Sequence, residues 1–150
     1  MDKFYQRKQY IVRATICALA SLLVISAASA KPCSATDADA AQSAVDSIDS
    51  WSTLAKAHQR FAHCDIASVA EGNSEAVARL LVDQWEQLPT LAALTAKQPG
   101  FMPFVLRHID TTLDTADIER IAELASSRCP VGHTKLCASL SAASTRALAH

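Results

Sequence analysis

The sequence predicts an all-α domain, a compact bundle or short HEAT-like stack of five to seven helices stapled by disulfides. Two observations carry this prediction. Apolar residues recur at spacings of three and four in successive stretches, and no stretch alternates apolar and polar residues over the length of a strand. The clearest stretch is Ser74 to Leu88, where Val77, Leu80, Leu81, Trp85 and Leu88 form one stripe while Arg79, Asp83, Glu86 and Gln87 occupy the other face. Asn73 or Ser74 is placed to cap its first turn, and Pro89 lacks the amide needed to continue it. A helix with so broad an apolar stripe needs partners, and the flanking segments supply them.

Residues 1–30 read as a targeting segment. Lys3, Arg7, Lys8 and Arg13 make a basic start, Ala14 to Ala30 carries no charge, and Ala28-Ser29-Ala30 is an A-x-A cleavage site. The uncharged run is short for a membrane span and diluted by Ala and Ser. Cleavage by a bacterial Sec pathway leaves 31–150 as a single periplasmic or secreted domain, with no stable membrane insertion expected. Cys33 lacks the small preceding residue of a lipoprotein site. Four basic residues and one acidic residue leave with the leader, so the mature chain holds 10 basic against 14 acidic, a net charge of −4. Nucleic acid and anionic membranes reward clustered Lys and Arg, so neither is expected as a partner.

Asp37 to Ser50 reads as the first helix, with Ala41, Ala44, Val45 and Ile48 on one face. Trp51 to Ala62 either continues or restarts it, and Ser47, Ser50 and Ser52 leave room for a break near Asp49 or Ser50. Cys64 to Gly72 has no strong period and reads as a short helical turn and a loop. Thr90 to Lys97 is a short helix closed by Pro99-Gly100. Phe101 to Asp110 follows, with Pro103 acceptable in its first turn. Asp114 or Thr115 caps a helix from Ala116 to about Arg128, with Ile118, Ile121, Leu124 and Ala125 inward. Pro130 and Gly132 break the chain before a last helix from Thr134 to about Leu148.

Cys17 leaves with the leader, and Cys33, Cys64, Cys129 and Cys137 remain. In an oxidising compartment these read as two disulfides with three possible connectivities. The turn around Pro130 and Gly132 favours Cys129 with Cys137, which leaves Cys33 with Cys64. There is no C-x-x-C, so structural stapling is favoured over redox catalysis.

Weak polar candidates remain. His58, His63, Cys64 and Asp65 lie close in sequence, and Cys129, His133 and Cys137 have ligand-like spacing, yet neither set matches an established zinc pattern. Asp65 and Glu71 form the one carboxylate pair to weigh for acid–base work. His108 interrupts an apolar stretch and reads as a satisfied core histidine, with Arg107 pairing to Asp110 or Asp114. There is no G-x-S-x-G, no H-E-x-x-H and no phosphate loop. No catalytic, cofactor-binding or metal-binding residue is assigned, and no cofactor is expected.

In its format of export leader, one helical domain and paired cysteines, the chain resembles small exported helical proteins of bacteria. Among these are the periplasmic immunity proteins of the Rap/Tai kind, which neutralise cell-wall-degrading effectors. The resemblance implies a non-enzymatic protein that acts by binding another protein, of immunity or inhibitor type. The alternative is a small periplasmic enzyme or ligand-binding protein.

Overall fold

The computed structural model describes residues 31–150, so the leader expected over 1–30 lies outside the described residues. Seven α-helices follow in order: α1 (Ala35–Val45), α2 (Trp51–Phe61), α3 (Ala67–Asp83), α4 (Leu88–Lys97), α5 (Phe101–Arg107), α6 (Thr115–Ser127) and α7 (Thr134–Leu148). Short 3-10 turns at Ala62–Cys64 and Trp85–Gln87 precede α3 and α4. Contacts skip along the chain, α1 with α3, α2 with α4, α3 with α6 and α5 with α7. The arrangement is therefore a bundle around a main core, in which Trp51, Leu54, Leu80, Leu81, Leu91, Phe101, Phe104, Ile121 and Leu140 are almost fully buried, with a smaller cluster of Ala78, Leu113, Ile118 and Ala147.

The break after α1 is set by side-chain chemistry. Ser50 Oγ accepts from the Thr53 amide at 3.2 Å while Thr53 Oγ1 accepts from the Ser50 amide at 3.0 Å, a reciprocal cap that starts α2. Two helices form where the sequence allowed one or two. α1 itself begins at Ala35, earlier than expected, because Ser34 Oγ caps the Asp37 amide at 3.1 Å. Asp114 caps α6 through the Ala116 amide at 2.8 Å.

The central helix is displaced from its expected bounds. α3 starts at Ala67, runs through Gly72-Asn73 and ends at Asp83, so the loop expected over Cys64 to Gly72 is largely helix. Gly72 is a site of close approach, since a Cβ there would sit 2.5 Å from Val45 Cγ1 on α1. Asn73 and Ser74 consequently lie in the helix interior and cap nothing. At the other end, tertiary anchors outcompete the helical period. Gln84 Nε2 donates to Asp49 O at 3.0 Å and the Trp85 indole Nε1 donates to Arg128 O at 2.8 Å. Leu88 and Pro89 then begin α4, where a proline in the first turn loses no hydrogen bond. The apolar stripe itself is as expected, with Val77, Leu80, Leu81, Trp85 and Leu88 all buried.

Two disulfides are present, Cys33–Cys64 and Cys129–Cys137. The first ties the segment before α1 to the turn before α3. The second closes the connection between α6 and α7, which make the most extensive helix–helix contact in the described chain. None of the described helices is long and apolar enough to cross a membrane.

Candidate functional site

Three segments meet at one polar cluster. The Cys33–Cys64 bond fixes the turn that presents Asp65, the middle of α3 supplies Asn73 and Ser74, and the end of α5 supplies Arg107 and His108. Asp65 accepts from Asn73 Nδ2 at 3.0 Å, from His108 Nε2 at 3.1 Å and from Arg107 Nη2. Burial alone would raise its pKa. The hydrogen bonds from His108, Arg107 and Asn73 outweigh that and hold the carboxyl well below the usual carboxylate range.

A carboxylate only accepts, so His108 Nε2 carries a proton toward Asp65. The other nitrogen, Nδ1, lies 2.9 Å from Ser74 Oγ, which is also 3.2 Å from Asp110 Oδ2 and 3.2 Å from Ala70 O. A continuous chain therefore runs Asp65, His108, Ser74, Asp110. Asp110 also accepts from the Thr112 amide at 2.8 Å and from Thr112 Oγ1 at 2.6 Å. This local turn draws the chain out of helix, which is why α5 stops at Arg107 and falls short of the expected Asp110. Burial would raise the Asp110 pKa, but the bonds from Thr112 and Ser74 lower it overall.

Serine, histidine and aspartate in hydrogen-bonded sequence invite a nucleophilic reading, and three features oppose it. Ser74 is 2% exposed. It sits in the interior of α3, where backbone N–H groups are spent on the helix and none is free to stabilise an oxyanion. Its one hydroxyl proton is drawn to Asp110 Oδ2 and Ala70 O, which compete with His108 for it. The cluster is thus a clamp that fixes the end of α5 and the turn before α3 against the middle of α3.

The candidate residues go to three places. Asp65 and His108 join in the clamp, and Glu71, the other carboxylate weighed for acid–base work, is exposed at the rim of the same cleft and makes no hydrogen bond to the clamp. Arg107 pairs with Asp65, in place of the expected Asp110 or Asp114. His63 Nε2 contacts Asp37 Oδ2 at 3.1 Å beside Lys31 Nζ at 2.8 Å, and these two partners, Lys31 first, lower Asp37 to about 2. His58 makes no hydrogen bond to the clamp and packs against Phe101 and Phe104, the second of which also meets His108. The three cysteines of the two ligand-like sets, Cys64, Cys129 and Cys137, are all held in disulfides. Ser74, Asn73 and Asp110 had no place among the sequence candidates. The signal for the first two was their position on the Ala70, Asn73, Ser74, Val77 stripe, which is visible once α3 is extended through Gly72.

Above the clamp lies an open cleft of about 230 Å³. It shares Thr112 with a neighbouring depression of about 400 Å³ bordered by Glu75, Asp83, Asp114 and Asp117, and Glu71 with another of about 300 Å³ bordered by Asp46 and Glu75. The result is one concave acidic face along α3. Its two arginines are engaged within the protein, Arg79 donating to Ile48 O at 2.9 Å and Arg107 bonding Asp65. The largest exposed apolar side chains, Ile66, Val131 and Leu148, are scattered along the chain at three separate termini of helices and turns. Comparison of the chain with family models, curated proteins and solved structures finds no match.

Proposed function

We propose that the mature domain is an exported, non-enzymatic protein that binds another protein through the acidic concave face along α3. The observation that carries this reading is a contrast in space. The small cavity beside His58 has room for about one water, at about 10 Å³, whereas the acidic depressions are far larger, at about 400 and 300 Å³. Small-ligand sites are usually deep, largely apolar and of several hundred Å³. A shallow charged surface is better suited to a complementary protein face, where electrostatics set association rate and partner choice. The leader pattern and the paired cysteines favour a partner in the periplasm or outside the cell. The immunity or inhibitor class implied by the chain's format is the finer proposal, with a partner that presents a basic surface.

Affinity capture with residues 31–150 from periplasmic extract tests the reading, run at low and high salt beside the charge-reversed variant Glu75→Lys/Asp117→Lys. A stoichiometric partner lost at high salt and lost to the variant is the expected result, because exposed charge pairs are screened over about 3 Å at 1 M salt. Recovery of no stoichiometric partner, together with a reproducible thermal shift by a small molecule, would favour the ligand-binding alternative.

A further inference from the structure

His58 is the one histidine of the described chain placed among aromatic rings at a helix–helix contact away from the acidic face. Its ring centroid lies 5.5 Å from that of Phe101 and 4.5 Å from that of Phe104, so α2 and α5 meet across it. Nδ1 is fully buried and no protein group hydrogen-bonds to it. It therefore differs from His63 and His108, each of which faces a carboxylate. The small cavity beside the ring is bordered by Ala41 and Val45 of α1 and by Val69 and Asn73 of α3, which bring no charge. A neutral ring with its proton on Nε2 fits this setting. A second proton must go on Nδ1, where it meets no acceptor.

We propose that His58 is an acid-sensitive latch between α2 and α5: the neutral ring closes the contact, and protonation loosens α5 from the bundle. The charged groups around it do not cancel this effect. Asp65 favours the cation, Arg107 and His108 of α5 oppose it, and Arg60 on α2 itself sits over the Phe61 ring, 4.9 Å from its centroid. Burial is the leading cause of a His58 pKa below its usual value of 6.5, with Arg107 and His108 adding to it against Asp65. Because the packed state holds the proton less well than the loosened state, the latch is fully closed above pH 6.5. It weakens as the pH falls from there toward the lowered value. α5 carries Arg107 and His108 to the cleft floor, so loosening it also disturbs the Asp65 clamp.

Amide hydrogen exchange of the mature domain at about pH 7.5 and about pH 5, corrected for intrinsic exchange, reads the latch directly. In the wild type, opening of 101–107 should rise several-fold at the lower pH, ahead of α6 and α7, and His58→Leu should abolish the difference. An equal acid response in His58→Leu, or no response in the wild type, overturns the proposal. Should the variant not fold, NMR titration of the wild-type imidazole decides alone: an inflection below 6.5 supports the latch, and one at or above 6.5 removes it.

Discussion

Asp65 concentrates the residue-scale energetics, because a buried carboxylate is held by three side chains from two other segments. Breaking a buried charge pair by removing one partner costs about 3–5 kcal/mol, whereas removing one hydrogen bond to a charged group costs about 1.5–3 kcal/mol. Asp65→Ala should therefore lower stability by about 3 kcal/mol or more, and Asn73→Ala by less, in urea denaturation at neutral pH. Arg107 is 60% exposed at its side chain, so Arg107→Ala should fall near the small end. The pH dependence follows from the lowered pKa values of Asp65 and Asp110. A carboxyl with a folded pKa below its unfolded one contributes its full stability above about pH 4, and loses it as the pH falls through the folded value. Stability should fall with acid below about pH 4, and Asp65→Asn should flatten that fall. An unchanged acid limb in the variant would assign acid unfolding to other groups.

At the scale of elements, α3 is decided by how closely it approaches α1. Ala at position 72 would gain about 0.5–1 kcal/mol of helix propensity, yet its Cβ would lie 2.5 Å from Val45 Cγ1. A helical valine is held near one χ1 rotamer, so the methyl has little freedom to move, and overpacking costs about 1–3 kcal/mol. Gly72→Ala should be net destabilising by about 1 kcal/mol, and Gly72→Ala/Val45→Ala should show favourable coupling in a double-mutant cycle. A stabilised single variant would mean that Val45 gives way to the added Cβ, whereas the sequence had placed Gly72 at a helix boundary. That reading failed because a glycine is the same letter whether it ends a helix or lets two helices touch. The stripe from Val77 to Leu88 was legible because burial of a face repeats along the sequence, and room for a break near Asp49 or Ser50 was legible in a cluster of serines, although the partner that decides it, Thr53, was not. The start of α3 was hidden by a first turn that carries no side-chain cap and has Ala67 at a φ of +48°. The partners of Asp65 were hidden for a related reason, since His108 lies 43 residues away and only the folded chain brings them together.

Residues 31–150 form a small helical bundle fastened covalently at two points, so its stability depends on the disulfides through the unfolded chain. Cys33–Cys64 spans 31 residues and Cys129–Cys137 spans 8. In the chain-entropy model those loops are worth about 3.7 and about 2.5 kcal/mol respectively. The first bond also does something the second does not. Cys64 is the residue before Asp65, so its release frees the turn that carries the buried carboxylate to His108 and Asn73. Cys129–Cys137 joins two helices already in extensive contact, and its removal leaves those contacts in place. Cys33→Ser/Cys64→Ser should therefore cost more than the loop-length difference predicts, and Cys129→Ser/Cys137→Ser close to its loop value. Urea denaturation of both variants, each repeated in an Asp65→Asn background, separates the two contributions. If the carboxylate is the link, Asp65→Asn will shrink the excess cost of losing Cys33–Cys64 and leave the cost of losing Cys129–Cys137 unchanged. Equal losses in the two backgrounds would mean that the first disulfide acts on the unfolded chain alone.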